Sequence, residues 1–283
     1  MTGWLEIRAE GGRETKDLAA FTLIDAGSPA VVENDDPRAD HNPAAALTAY
    51  LPAIFPHETG PLKKRLGKIG WSFTLSTYTD TDWAEKWKRH IRPVRAARFL
   101  VKPTWSRVKK RPGEISIEID PGMAFGTGSH ATTRMCLKAV YNLVKGKSGK
   151  AGLLDVGTGS GILAIAAKKL GVKDVVGIDN DPIALRVAGG NFRHNGVKVR
   201  LSRKPLSGIK GLFSIVVANI QSNALISLLP DLIKKVRPNG FLVLSGILAE
   251  EADGVKGAFL KSGLKAPRTL RMKEWAALVM RKI

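Results

Sequence analysis

Leu153-Leu154-Asp155-Val156-Gly157-Thr158-Gly159-Ser160-Gly161-Ile162-Leu163 is the stretch that decides how the C-terminal half of this 283-residue chain is read. An apolar run leads into three glycines at alternate positions and then into a second apolar run. Glycine tolerates positive φ and lets a ligand approach the backbone closely. The stretch therefore predicts a buried strand, a tight turn and a helix, with the turn at the carboxyl end of the strand, where open α/β sheets bind ligands. Working outward, strand-like runs recur at Gly152–Val156, Val175–Asp179, Phe213–Ala218, Gly240–Ser245 and Trp275–Arg281. Helical patterns lie between them at about 160–170, 181–194, 222–236 and 248–262. Such alternation calls for a mostly parallel sheet with crossover helices on both faces. The unbroken apolar run Ile215-Val216-Val217-Ala218 fits a strand buried on both sides.

The spacing of the glycines bears on the ligand. Dinucleotide enzymes favour G-x-G-x-x-G, with a pyrophosphate over the helix N-terminus. Gly157, Gly159 and Gly161 instead follow G-x-G-x-G and are headed by Asp155, an acid that repels phosphate and suits an ammonium or sulfonium cation. A second strand, Val175-Val176-Gly177-Ile178-Asp179, ends in another acid 22 residues after Gly157. A carboxylate at that point can accept hydrogen bonds from both ribose hydroxyls of a nucleoside. A purely structural glycine turn would leave Asp179 unexplained. Upstream, Phe125 to Thr133 offers an apolar wall in Phe125 and hydroxyls in Thr132 and Thr133. His130 can act as a general base or can hold the loop by hydrogen bonding. Asn219 closes the Ser214–Ala218 strand and serves either to position an acceptor or as a strand-end cap.

The glycine loop, Asp179 and the Asn191–Gly196 turn resemble class I S-adenosylmethionine methyltransferases, which have a Rossmann-like domain with a mostly parallel seven-stranded sheet. Asp120-Pro121-Gly122-Met123-Ala124-Phe125-Gly126-Thr127-Gly128-Ser129-His130-Ala131-Thr132-Thr133 is narrower and resembles PrmA, the family that methylates protein eleven of the large ribosomal subunit. The likeness extends through Ala218-Asn219-Ile220, Leu244-Ser245-Gly246-Ile247-Leu248, Glu274-Trp275 and the Asp82-Trp83…Trp87 segment. It departs at Ala131, where the family usually has proline, and at Gln221-Ser222-Asn223, where smaller residues are common. The resemblance implies S-adenosylmethionine as co-substrate, no metal, and a pocket of Phe125, Thr132, Thr133, Asp155, Gly157, Gly159, Gly161, Asp179 and Asn219. Thr133 would lie against the methionine part of the cofactor, and Asn219 would position the acceptor without a dedicated base. Amine methyltransferases of planar nitrogens carry Asn-Pro-Pro-aromatic at this point. Asn219-Ile220-Gln221-Ser222 lacks the prolines and the aromatic ring, which leaves room for aliphatic amines, and the resemblance implies lysine side chains, with the α-amine as a further acceptor. Another protein's lysine, as in the related mitochondrial methyltransferase of an electron-transfer flavoprotein subunit, an RNA substrate, and a non-enzymatic ribosome-binding relic are the competing readings.

The N-terminal part reads differently. Trp4–Arg8, Ala30–Glu33 and Trp71–Tyr78 look like strands, and 13–26 and about 43–55 look helical, which suggests a small ferredoxin-like α/β domain. The expected organisation is a substrate-recognition domain at 1–79, a Trp-bearing helical linker at 80–95 with Trp83 and Trp87 on one face, and the catalytic domain at 96–283. Residues 1–60 carry ten acidic and four basic side chains (−6), while residues 61–283 carry 15 and 41 (+26), out of a total of +20. The basic part suits a polyanion, so ribosomal RNA contact is an expectation, with clusters at Lys63-Lys64-Arg65, Lys86-Lys88-Arg89 and Arg107-Lys109-Lys110-Arg111. The lone cysteine, Cys136, excludes an internal disulfide framework and reads as a small buried apolar residue. With no apolar run long enough to span a membrane and no secretion signal at the start, a cytoplasmic monomer acting on the ribosomal protein, free or in the large subunit, is expected.

Overall fold

A computed structural model describes residues 4–28, 31–33, 44–52, 59–78, 92–120, 126, 128–145 and 152–283. The chain divides into two compact units, one comprising 1–92 with 121–125 and the other 93–120 with 126–283. The tryptophans Trp83 and Trp87 lie outside the described residues. Among the described residues no helix is long and apolar enough to cross a membrane.

The first unit runs β1 (Trp4–Gly12), α1 (Lys16–Asp25), β2 (Val31–Glu33), β3 (Ala44–Pro52), α2 (Thr59–Gly67) and β4 (Ser72–Tyr78). Its sheet has the order β2-β3-β1-β4 with every pairing antiparallel, which is the ferredoxin-like arrangement. The helix expected over about 43–55 is overturned in its described part, because Ala44–Pro52 form a strand. Ala and Leu favour helices, yet Ala45, Leu47, Ala49 and Leu51 fall at a period of two and all face the core. β1 pairs along the whole of β3 and β2 adds a second edge at Leu47–Ala49, so tertiary pairing overrides propensity. The helix comes later, as α2, where Leu62 and Leu66 are buried and Lys63, Lys64 and Arg65 are exposed.

The second unit opens with a small sheet of β5 (Val94–Ala96), β6 (Phe99–Lys102) and β7 (Ile115–Glu118). Then follow α3 (Ala131–Val144), β8 (Gly152–Val156), α4 (Ile162–Lys169), β9 (Asp174–Ile178), α5 (Pro182–His194), β10 (Arg200–Ser202), β11 (Phe213–Asn219), α6 (Ser222–Ser227), α7 (Leu229–Lys235), β12 (Val236–Leu248), α8 (Ala252–Lys261), β13 (Leu264–Met272) and β14 (Trp275–Lys282). Seven strands form one sheet in the order β10-β9-β8-β11-β12-β14-β13. Its first five strands run parallel, and β14 lies antiparallel between β12 and β13. Alternate residues feed two layers. Leu153, Ile215, Val217 and Val243 pack with α3, α4 and α5. Leu154, Val216, Leu242 and Leu244 pack with α6, α7 and α8. Both faces are covered, which explains the unbroken apolar runs. Strand order reverses between β8 and β11, and that switch point opens the ligand-binding crevice of such sheets.

Candidate active site

The glycine turn leaves β8 with Gly157 at φ 70°, Gly159 at 53° and Gly161 at 81°, all in the left-handed region. Side chains are excluded as well as strained at two of these positions. A Cβ on Gly157 would lie 2.5 Å from the Ile220 side chain, and one on Gly161 would lie 2.5 Å from the Phe192 ring. The turn is held from inside. The amides of Gly157 and Thr158 both donate to the Ile178 carbonyl at 2.9 Å, and Gly161 donates to the Thr158 carbonyl at 2.8 Å. Gly159 donates to Asp179 Oδ2 at 2.9 Å. Four of the five amides from 157 to 161 are thus already bonded, so the turn is not a phosphate cradle.

Strand register sets the rest. Val156 pairs with Ile178 on one side and Ala218 on the other, which brings Asp179, Gly157 and Asn219 to one level at the carboxyl edge of three adjacent strands. Asp179 is partly exposed, and its Oδ1 accepts from the Asp181 amide at 3.1 Å. Asn219 Nδ2 donates to Thr133 Oγ1 at 3.4 Å, while its Oδ1 is buried without a partner. Asp155 lies beneath the turn. Its Oδ2 accepts from Thr158 Oγ1 at 2.8 Å and from the Ala164 amide at 3.2 Å, and its Oδ1 is buried without a partner. Burial pushes the Asp155 carboxyl up to about 7, against those two hydrogen bonds and with the Asp179 charge adding to the rise.

Comparison with known proteins gives this geometry its family. The profile of the ribosomal protein L11 methyltransferase (PrmA) family matches residues 3–283. The chain belongs to that family. It is 50% identical over 208 residues to the ribosomal protein L11 methyltransferase of Geobacter metallireducens, covering 73% of this chain and 68% of that one. The enzyme of the same name from Citrifermentans bemidjiense is 38% identical over 304 residues, with 99% of each chain covered. Among solved structures, the ribosomal protein L11 methylase of Lactobacillus delbrueckii subsp. bulgaricus superposes with a TM-score of 0.61 at 30% identity, covering 66% of this chain and 97% of that one.

The crevice fits the S-adenosylmethionine of a class I methyltransferase. Asp155 Oδ1 and Asn219 Oδ1 are buried without partners and so leave hydrogen-bonding capacity unused at the crevice. Asp179 retains acceptor capacity for hydroxyls, and the turn's occupied amides disfavour a pyrophosphate. Thr133, Asp155, Gly157, Gly159, Gly161, Asp179 and Asn219 therefore lie at or beneath one strand edge. Thr132 is placed otherwise. Its hydroxyl bonds His130 Nδ1 at 2.8 Å, and the same ring nitrogen accepts from the Thr132 amide at the N-cap of α3. His130 also meets the Trp275 ring edge-on at 4.9 Å, so the geometry gives this pair a loop-holding part. Ala131 occupies the first position of α3, where proline is equally at home. Phe125 lies outside the described residues. Cys136 is buried, and burial pushes its thiol up to about 12 against a hydrogen bond to Ser245.

Within the Asn191–Gly196 segment, which the sequence marked without giving its residues individual roles, two asparagines tie distant backbone together. Asn191 Oδ1 accepts from the Asp120 amide at 2.8 Å, and its Nδ2 donates to the Ser160 carbonyl at 2.9 Å. Asn195 accepts from the Glu118 amide at 2.9 Å and donates to its carbonyl at 2.6 Å. Ser160 Oγ in turn donates to the Gly126 carbonyl at 2.7 Å. A signal was present, since asparagine is a poor helix former and Asn191 and Asn195 stand four apart along α5 and its cap.

Proposed function

We propose that this protein transfers methyl groups from S-adenosylmethionine to lysine side-chain amines, and to the α-amine, of ribosomal protein L11. The observation that carries the reading is the buried, partnerless Asn219 Oδ1 at the end of β11, level with Gly157 and Asp179. When bound, the sulfonium donor supplies an activated methyl group and leaves as a neutral thioether. Asp179 holds the ribose hydroxyls, and Asp155 and Thr133 face the amino-acid end. Asn219 Oδ1 accepts an N–H of the incoming amine and aims its lone pair. A lysine of ordinary pKa ~10.4 costs ~4–5 kcal/mol to deprotonate at neutral pH. Desolvation beside a cation lowers that pKa and shifts the cost onto substrate binding. Alignment can then supply several kcal/mol of the barrier without a dedicated base.

The ferredoxin-like unit presents the protein substrate, which lets one crevice reach more than one amine. The Trp83/Trp87 segment joins it to the catalytic unit, and the basic surface of the latter meets ribosomal RNA. The enzyme acts as a cytoplasmic monomer. The deciding assay incubates the protein with labelled S-adenosylmethionine, free ribosomal protein L11 and hypomethylated large subunits. Label is expected on amines of the protein, and label on RNA alone would overturn the reading. In the same assay His130→Ala should lower turnover less than Asp179→Ala. A thousandfold loss at His130 alone would make it a base.

A further inference from the structure

Residues 93–113 hold seven cations and no acidic side chain. Two of the seven are neutralised, Arg95 by Glu114 at 2.9 Å and Lys102 by Glu118 at 3.2 Å. The others are concentrated in the connection between the parallel strands β6 and β7. That connection contains no helix and is pinned at both ends. Lys102 Nζ donates to the Ser106 carbonyl at 3.2 Å, and the Arg111 amide donates to Glu114 Oε2 at 2.7 Å. Between the pins every residue from Arg107 to Gly113 is exposed. Arg107, Lys109 and Lys110 have no ion-pair partner among the described residues. Trp105 at 37% and Val108 at 40% exposure place apolar surface among the charges. The like-charged field extends to the end of α4. Burial draws Lys169 below the ordinary lysine value, Glu118 opposes this, and the charge of Lys110 adds to the lowering. Holding unpaired like charges together on an anchored loop is unfavourable unless a polyanion neutralises them.

We propose that the 103–114 loop is an RNA-binding surface, with Arg107, Lys109 and Lys110 on backbone phosphates and Trp105 against a base or ribose. RNA suits the patch better than an acidic peptide, because an exposed indole beside guanidinium and ammonium groups matches stacked bases between phosphates. The inference rests on the proposed contact between the basic surface and ribosomal RNA and locates it, whereas methyl transfer to the free protein does not depend on the loop, so binding and methylation fail separately.

The test uses the full chain and a fluorescein-labelled RNA hairpin, titrated by anisotropy over a range of salt, with poly-L-glutamate as the protein-like anion. The triple variant Arg107→Gln/Lys109→Gln/Lys110→Gln is compared with Lys261→Gln/Lys265→Gln/Arg268→Gln, which removes the same charge from three exposed side chains elsewhere. The loop variant should lose about 2–3 from the salt slope and about thirtyfold or more in affinity at low salt, against about threefold or less for the control. It should methylate free ribosomal protein L11 at the wild-type rate. Equal losses in both triple variants, wild-type binding to poly-L-glutamate as tight as to RNA, or lost methylation of the free protein would each overturn the proposal.

Discussion

Asp155 is where residue chemistry and stability meet. Its folded-state carboxyl titrates at about 7, whereas the ordinary value is 3.8. Between those pH values the folded protein keeps a proton that the unfolded chain has released, so this group's contribution to stability falls as pH rises through that window and is level above it. Asp155→Asn removes the titration while keeping an acceptor for the Ala164 amide and a partner for the Thr158 hydroxyl. The difference in unfolding free energy between wild type and variant, measured in urea, should shift in the variant's favour by about 2–3 kcal/mol between pH 5 and pH 8. A constant difference would mean that Asp155 is ionised throughout. The sequence placed an acid beside the turn. Its burial, which converts a simple cation partner into a proton-holding group beneath the site, depends on α4 and on Thr158 closing over it.

At the scale of elements, α5 does more than cover the sheet. Asn191 and Asn195 tie it to backbone at 118–120, more than 70 residues earlier, and to the glycine turn. Replacing Asn191 with alanine leaves the Asp120 amide and the Ser160 carbonyl without their partner. The expected cost is about 2–4 kcal/mol in urea unfolding, accompanied by weaker cofactor binding in calorimetric titration. A loss under about 0.5 kcal/mol, the size of an ordinary surface substitution, would remove the clamp from the account. The strand β3 teaches the reverse lesson. Ala44 to Leu51 is rich in helix formers, yet its apolar positions alternate, and neighbouring strands settled what propensity could not.

At the scale of the molecule, each unit has its own apolar core, one around Ile7, Leu23, Leu47 and Leu66 and the others on the two faces of the large sheet. Removing residues 1–92 should leave S-adenosylmethionine binding intact and lower methylation of ribosomal protein L11 by about a hundredfold or more, since tethering a substrate raises its local concentration by that order. Label transfer and calorimetry on the truncated chain read the two effects, and undiminished methylation would end the division of labour. By itself the sequence determined the strand–turn–helix unit, the acid at the next strand end and the parallel alternation. These follow from local rules, namely glycine's access to positive φ, period-two and period-3.6 patterning, and right-handed crossovers. The antiparallel insertion of β14, the strand character of β3, the burial of Asp155 that raises its pKa and the asparagine clamp came from the tertiary structure alone. Each of these rests on partners distant in sequence, and whether a backbone edge or a carboxyl is paired or desolvated is a property of what packs against it.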